Sequence, residues 1–171
     1  MLVGAAACSL VAMVARITRA GKRYEGVRGL ADRLVQESDA LRERMLHLRD
    51  RDEAAFNAVI AARGDKAAMQ RALSGAAEVP LQGATAAARA MTLAYEALAL
   101  ENANLVSDVG CAAEFGYAAM AACVYNVRIN HKYMEDKLSV EAQRAHLEQL
   151  ESQGDDLVSR VRTAVNKALS K

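Results

Sequence analysis

Apolar positions recur along this chain at spacings of three and four almost from end to end, the period of helices that bury one face. Between residues 24 and 63 the series is unbroken: Val27, Leu30, Leu34, Ser38, Leu41, Met45, Leu48, Asp52, Ala55 and Val59 predict one long amphipathic helix with a single inward stripe. Gly64 and Asp65 make a turn, and Asp65 caps a shorter helix through Met69, Leu73 and Ala77, which Pro80 is expected to kink or end. A further helix over residues 82–101 turns Ala84, Ala88, Met91, Tyr95 and Leu98 inward. Residues 104–130 are dominated by small apolar side chains, and Glu114 is the one charge between Cys111 and Tyr125. That stretch predicts a buried central helix that neighbours approach closely, with Asn104 or Ser107 as its cap. After a polar connection over residues 131–138, Ser139 is expected to cap a last helix that buries Leu147, Leu150, Leu157, Val161, Ala164 and Ala168, with Gly154 at the open place in its stripe. No alternating strand pattern of useful length occurs. The expectation is one all-α domain over residues 1–171, an antiparallel up-and-down helical bundle with a buried Ala/Gly-rich central helix.

Composition agrees, with 53% hydrophobic residues, 4% aromatics, one proline and no tryptophan in 171 residues, enough chain to bury a core without staples. A net charge of +1 gives no global electrostatic footprint for nucleic acid. Cys8, Cys111 and Cys123 form no CxxC pair and lie in apolar helical contexts, which reads as reduced core thiols in a cytoplasmic protein. His47, His131 and His146 are scattered, and no metal is expected. The apolar opening, residues 1–17, has no basic leader and stops at Arg16, short of a membrane span, so it reads as a buried helix. It starts without a polar cap, as if residues upstream were absent.

Four features carry candidate chemistry. Asp52 puts a carboxylate on the inner stripe of the long helix, where it must be paired, protonated or used. Asn126 and Asn130, four apart, share one helix face where alanine or leucine would be the default, and they bond either another helix or a ligand. Asp108 stands in a first helical turn, where the helix dipole favours a carboxylate. The turn after the first helix gathers Arg16, Arg19, Lys22, Arg23 and Arg28 against Glu25, which is either a solvated helix end or a dock for a small polyanion.

The segments VAMVARITRAGKRYE, RDEAAFNAVIAA, AAEVPL, NLVSDVG and NVRIN, in this order, resemble the cyclodeaminase/cyclohydrolase family over nearly the whole chain. The family's Pro-Gly-Gly-Gly-Ser stretch before the first helix has no counterpart here, since the chain opens at Met1-Leu2-Val3-Gly4. The resemblance implies an all-helical homodimer or larger assembly of the cytoplasm that handles folate-bound one-carbon units, as in histidine degradation, with no tightly bound cofactor and no nucleic-acid or membrane partner. The implied reaction is ring closure of 5-formimidoyltetrahydrofolate with loss of ammonia, or hydrolysis of 5,10-methenyltetrahydrofolate. Asp52 and Asp108 then become the candidate acid and base, either of which could instead hold the pterin. Ser107, Asn126, Arg128 and Asn130 become candidate substrate contacts, and Lys22 and Arg23 suit the glutamate tail of a folate, polyglutamylated or not. A catalytically silent scaffold of the same fold, or an unrelated helical interaction module, stays open as an alternative.

Overall fold

The computed structural model describes residues 1–170, and the regular structure among them is helical throughout. Five helices follow one another: α1 Leu2–Ala20, α2 Arg28–Ala61, α3 Lys66–Ala97, α4 Val106–His131 and α5 Lys137–Leu169. Three short 3-10 segments, Lys22–Val27, Leu98–Leu100 and Ala103–Leu105, make the connections at one end of the bundle. Cross-helix partners run in opposite directions along each neighbouring pair. Glu37 meets Arg89 while Arg51 meets Gln82, and Glu114 meets Arg162 while Arg128 meets Glu151. The expected antiparallel bundle is therefore the one observed.

α3 and α4 form the centre, with α1, α2 and α5 packed around them. Burial of Ala86, Ala87, Ala88, Ala90 and Met91, interrupted only by Arg89, shows α3 enclosed on nearly every side. α4 buries Val109, Ala112, Ala113, Gly116, Met120 and Val124 but leaves Phe115, Tyr125 and Ile129 exposed on its outer face. Small residues permit the close α3–α4 approach: a Cβ added at Gly116 would stand 2.6 Å from Met91 Cγ and 3.4 Å from the Ala87 carbonyl oxygen.

The inward stripe of α2 holds through Ala31, Leu34, Ser38, Leu41, Met45 and Leu48, all buried, and then lifts from the core, so that Asp52, Ala55 and Val59 are half-buried. The turn after α2 is as expected: Gly64 takes φ 92°, and the Asp65 carboxylate accepts from the Ala68 amide at 3.0 Å.

Several local expectations are revised. Pro80 neither ends nor divides its helix; the segments expected on its two sides are one helix, α3. Asp136, not Ser139, caps α5, its carboxylate accepting from the Ser139 amide at 3.1 Å. Asp lies at the last non-helical position, so its oxygen reaches the open first-turn amides, whereas Ser139 is already inside the helix. Neither Asn104 nor Ser107 caps α4; Asn102 instead accepts from the Asn104 amide at 3.3 Å and closes the preceding 3-10 turn. Cys8 and Cys123 are buried, but Cys111 is exposed on the outer face of α4. α1 is long and apolar enough to cross a membrane, yet half of its most apolar window is buried within the bundle.

Candidate functional site

At the end of the bundle where α1 begins, a cleft of about 320 Å³ opens between α2, α3 and the last turns of α4. Asp52 sits in it, one turn before Phe56 and two before Val59 on the same face of α2. Leu73 and Ala76 of α3 form its floor, and Asn126, Ile129, Asn130 and Tyr133 form the opposite wall. Asp52 makes no ion pair or hydrogen bond among the described residues. Its neighbour Arg51 turns away and donates to Gln82 Oε1 at 3.0 Å. Burial pushes the Asp52 carboxyl above the ordinary carboxylate range, and the nearby amino group of Met1 offsets part of that rise. The same cluster raises the Cys123 thiol, chiefly by burial and in part through the negative charge of Asp52.

The two asparagines line the same cleft with defined polarity. Asn126 Nδ2 donates to the Ala122 carbonyl one turn back at 3.0 Å. Asn130 Nδ2 donates to the Asn126 carbonyl at 2.8 Å and across to the Ala76 carbonyl of α3 at 3.0 Å. Because both amide nitrogens are committed to carbonyl oxygens, both Oδ1 atoms are left as acceptors. A carboxyl that can hold or release a proton, in one cleft with two amide acceptors and an apolar floor, can bind a planar donor-rich edge and exchange one proton with it.

The other candidates lie elsewhere. Asp108 is half-buried at the far end of α4; eighteen residues of helix, about 27 Å, separate it from Asn126. Within one protomer, Asp52 and Asp108 do not meet at one carbon. Ser107 beside it is exposed, and that end of α4 borders a different cavity of about 520 Å³ reached by Val106 and Glu101. Lys22 and Arg23 follow α1, one full helix length, about 28 Å, from the cleft. Arg16, Arg19 and Arg28 are paired with Asp39, Asp32 and Glu25, and Arg23 lies over the Tyr24 ring at 4.6 Å. Among the described residues of that turn, only Lys22 is without a partner. Arg128 stands about 200° around α4 from Asn126. It pairs with Glu151 of α5 at 2.7 Å, so it does not turn toward the cleft.

Phe56, Ile129 and Tyr133, 63%, 52% and 57% exposed, rim the cleft and were not singled out from the sequence. The signal was present: Phe56 lies four residues after Asp52, and Tyr133 three after Asn130. No three His, Cys, Asp or Glu side chains gather at metal-binding distance among the described residues.

Comparison with known proteins bears on what this cleft serves. The family model for formiminotransferase-cyclodeaminase matches residues 1–149. The chain belongs to the formiminotransferase-cyclodeaminase family. It is 29% identical over 178 residues to a methenyltetrahydrofolate cyclohydrolase of Methylorubrum extorquens, covering 98% of this chain and 86% of that one. Its fold matches the crystal structure of a formiminotetrahydrofolate cyclodeaminase from Thermotoga maritima with a TM-score of 0.94 at 30% identity, covering 98% of this chain and 85% of that one. The two family relatives thus bear the names of the two folate reactions that the sequence resemblance implied.

Proposed function

We propose that this chain is a folate one-carbon enzyme, a formimidoyltetrahydrofolate cyclodeaminase or methenyltetrahydrofolate cyclohydrolase, and that the Asp52 cleft is where it acts. The observation that carries the reading is Asp52 itself, a half-buried carboxylate without a partner among the described residues, which lines one cleft with Asn126 in a chain of this family. In ring closure, folate N10 attacks the carbon of the protonated formimidoyl group, the bond from that carbon to its terminal nitrogen breaks, and ammonia leaves carrying the proton given up by N10, so that the positive charge stays on the methenyl product. In hydrolysis, water adds to the methenyl carbon and gives up both of its protons, one reaching N5 as the bond from that carbon to N5 breaks and the other passing to solvent. Each route needs a group that gives and takes one proton in a site sheltered from bulk water, and a carboxyl raised above its ordinary range is better suited to that exchange than an ordinary one. On this reading Asn126 Oδ1 accepts from the amino-pyrimidine edge of the pterin, and Phe56 and Tyr133 cover its faces.

The assembly completes this reading. Cys111, Phe115, Ala118, Ala122, Tyr125 and Ile129 form an exposed small and apolar stripe on the outer face of α4, a seam suited to a second copy of the chain. A two-fold pairing of α4 on α4 about Ala118 runs the helices antiparallel and sets Asp108 of the partner subunit alongside residue 128, one turn or less from Asn126 and Asn130. Two carboxyls that are far apart in one protomer then serve one site. A cytoplasmic homodimer acting in histidine degradation is compatible with the ammonia-releasing reaction.

Spectrophotometric assay of methenyltetrahydrofolate formation from the formimidoyl compound, and of its decay in water, tests the reading with purified protein. Turnover in either assay supports it; no acceleration of either reaction overturns it.

A further inference from the structure

Pro80 lies inside α3, and residue 80 therefore offers no amide hydrogen to the carbonyl four residues earlier, that of Ala76. The proline ring also crowds that carbonyl, pushing it off the helix axis. An orphaned carbonyl at a buried residue is costly, and Ala76 is 8% exposed. The group that takes it is Asn130, whose Nδ2 reaches from α4 to the Ala76 oxygen at 3.0 Å. Nearly two turns earlier on α3, Gln70 holds the chain just past α4 from both sides: its Nε2 donates to the Tyr133 carbonyl at 3.1 Å, and its Oε1 accepts from the Glu135 amide at 2.8 Å. These bonds join α3 to the segment that carries Asn126, Ile129 and Tyr133, the wall of the cleft opposite Asp52.

We propose that Pro80 releases the Ala76 carbonyl as a docking point for Asn130, and that Asn130 and Gln70 are positioning residues which hold the α4 wall of the cleft at its working distance from Asp52. Asn130 on this account acts through Tyr133 and Asn126 and does not bond the substrate. The clamp is set by the bond geometry alone; its effect on catalysis rests on the folate reading above.

The experiment is a double-mutant cycle on the full chain with Pro80→Ala, Asn130→Ala and the double variant, read by thermal unfolding and by steady-state kinetics well below the unfolding temperature. Asn130→Ala is expected to lower the unfolding midpoint by about 2 to 8 °C, because it orphans the Ala76 carbonyl. In the Pro80→Ala background, where residue 80 can supply an amide hydrogen to Ala76, the same change should cost roughly half as much or less. Asn130→Asp, which keeps the shape and sets a carboxylate oxygen against the Ala76 and Asn126 carbonyls, should lower the midpoint at least as much as the alanine variant. In kinetics, Pro80→Ala should reproduce the rise in KM caused by Asn130→Ala, of order tenfold with kcat little changed, although Pro80 does not line the cleft. The double variant should be no worse than either single one.

Additive shifts of the midpoint overturn the clamp, whether or not the protein turns over. Coupled midpoints with an unchanged KM in Pro80→Ala overturn the positioning role. If the native chain acts on neither folate, coupled midpoints still support the clamp while the folate reading fails.

Discussion

Asp52 was legible in the sequence because it breaks a stripe whose other members are apolar, a stripe that Ser38 also interrupts. The structure separates the two cases. Ser38 is buried at 0% exposure and packs in the core, whereas Asp52 lies where the stripe rises from the core into a cleft. Its raised pKa fixes a sign. A carboxyl held higher in the folded chain than in the unfolded one favours folding below the unfolded value, about 4, and loses that contribution as the pH rises through the folded value. At neutral pH the ionised group therefore costs stability. Asp52→Asn should keep or raise the unfolding temperature at pH 7, with the advantage fading below about pH 4, while turnover falls by about 10² to 10⁴. Thermal unfolding and turnover on one sample decide it, and a destabilised variant with normal activity per folded molecule would remove Asp52 from the chemistry. The asparagine pair was legible in the same way, although spacing could not tell a bond to a helix from a bond to a ligand. Asn130 makes the first kind of bond, to a carbonyl that only the three-dimensional register of α3 against α4 reveals.

At the scale of the element, periodicity located the helices and erred where a side chain from elsewhere changed the local rule. Proline in a helix interior normally breaks it because one carbonyl loses its partner; here a partner arrives from fifty-four residues away and α3 runs on. The start of α5 shows the opposite limit. Ser139 and Asp136 are both good caps, and only the backbone shows which one stands at the last non-helical position. Asp136→Ala should accordingly cost about 1 kcal/mol, and Ser139→Ala much less. Close packing of α3 on α4 gives a sharper test. Gly116→Ala places a methyl against Met91 Cγ and near the Ala87 carbonyl, neither of which is the free tip of a flexible chain. Overpacking of this kind costs about 1 to 3 kcal/mol. Urea unfolding midpoints for these three variants rank them, and a neutral Gly116→Ala would mean that the two helices separate more easily than the contact implies.

For the whole molecule, helix faces were readable but bundle ends were not. Asp52 and Asp108 each sit on a plausible face, yet up-and-down threading sends them to opposite ends. The basic turn is likewise about one helix length from the cleft. Lys22→Ala with Arg23→Ala should leave KM for a monoglutamyl folate unchanged and raise it only for chains long enough to reach; equal effects on both would show a role other than reading the tail. The two-fold pairing proposed for α4 makes a further demand. Asp52→Asn and Asp108→Asn proteins, each inactive alone, should regain about a quarter of native activity when unfolded and refolded together, because half of the random pairs are mixed and one of the two sites in a mixed pair is intact. No recovery would mean that the carboxyls do not meet across subunits.

The three thiols record whether that pairing occurs. Burial raises Cys8 to about 12 and lifts Cys123 as well, so neither offers a reactive thiolate at neutral pH. Cys111 alone is exposed, and it stands on the outer face of α4. Alkylation of the native chain should therefore stop at one adduct. Its rate should fall as protein concentration rises through the dimerisation range, which makes Cys111 a built-in chemical gauge of how much of the α4 face is covered.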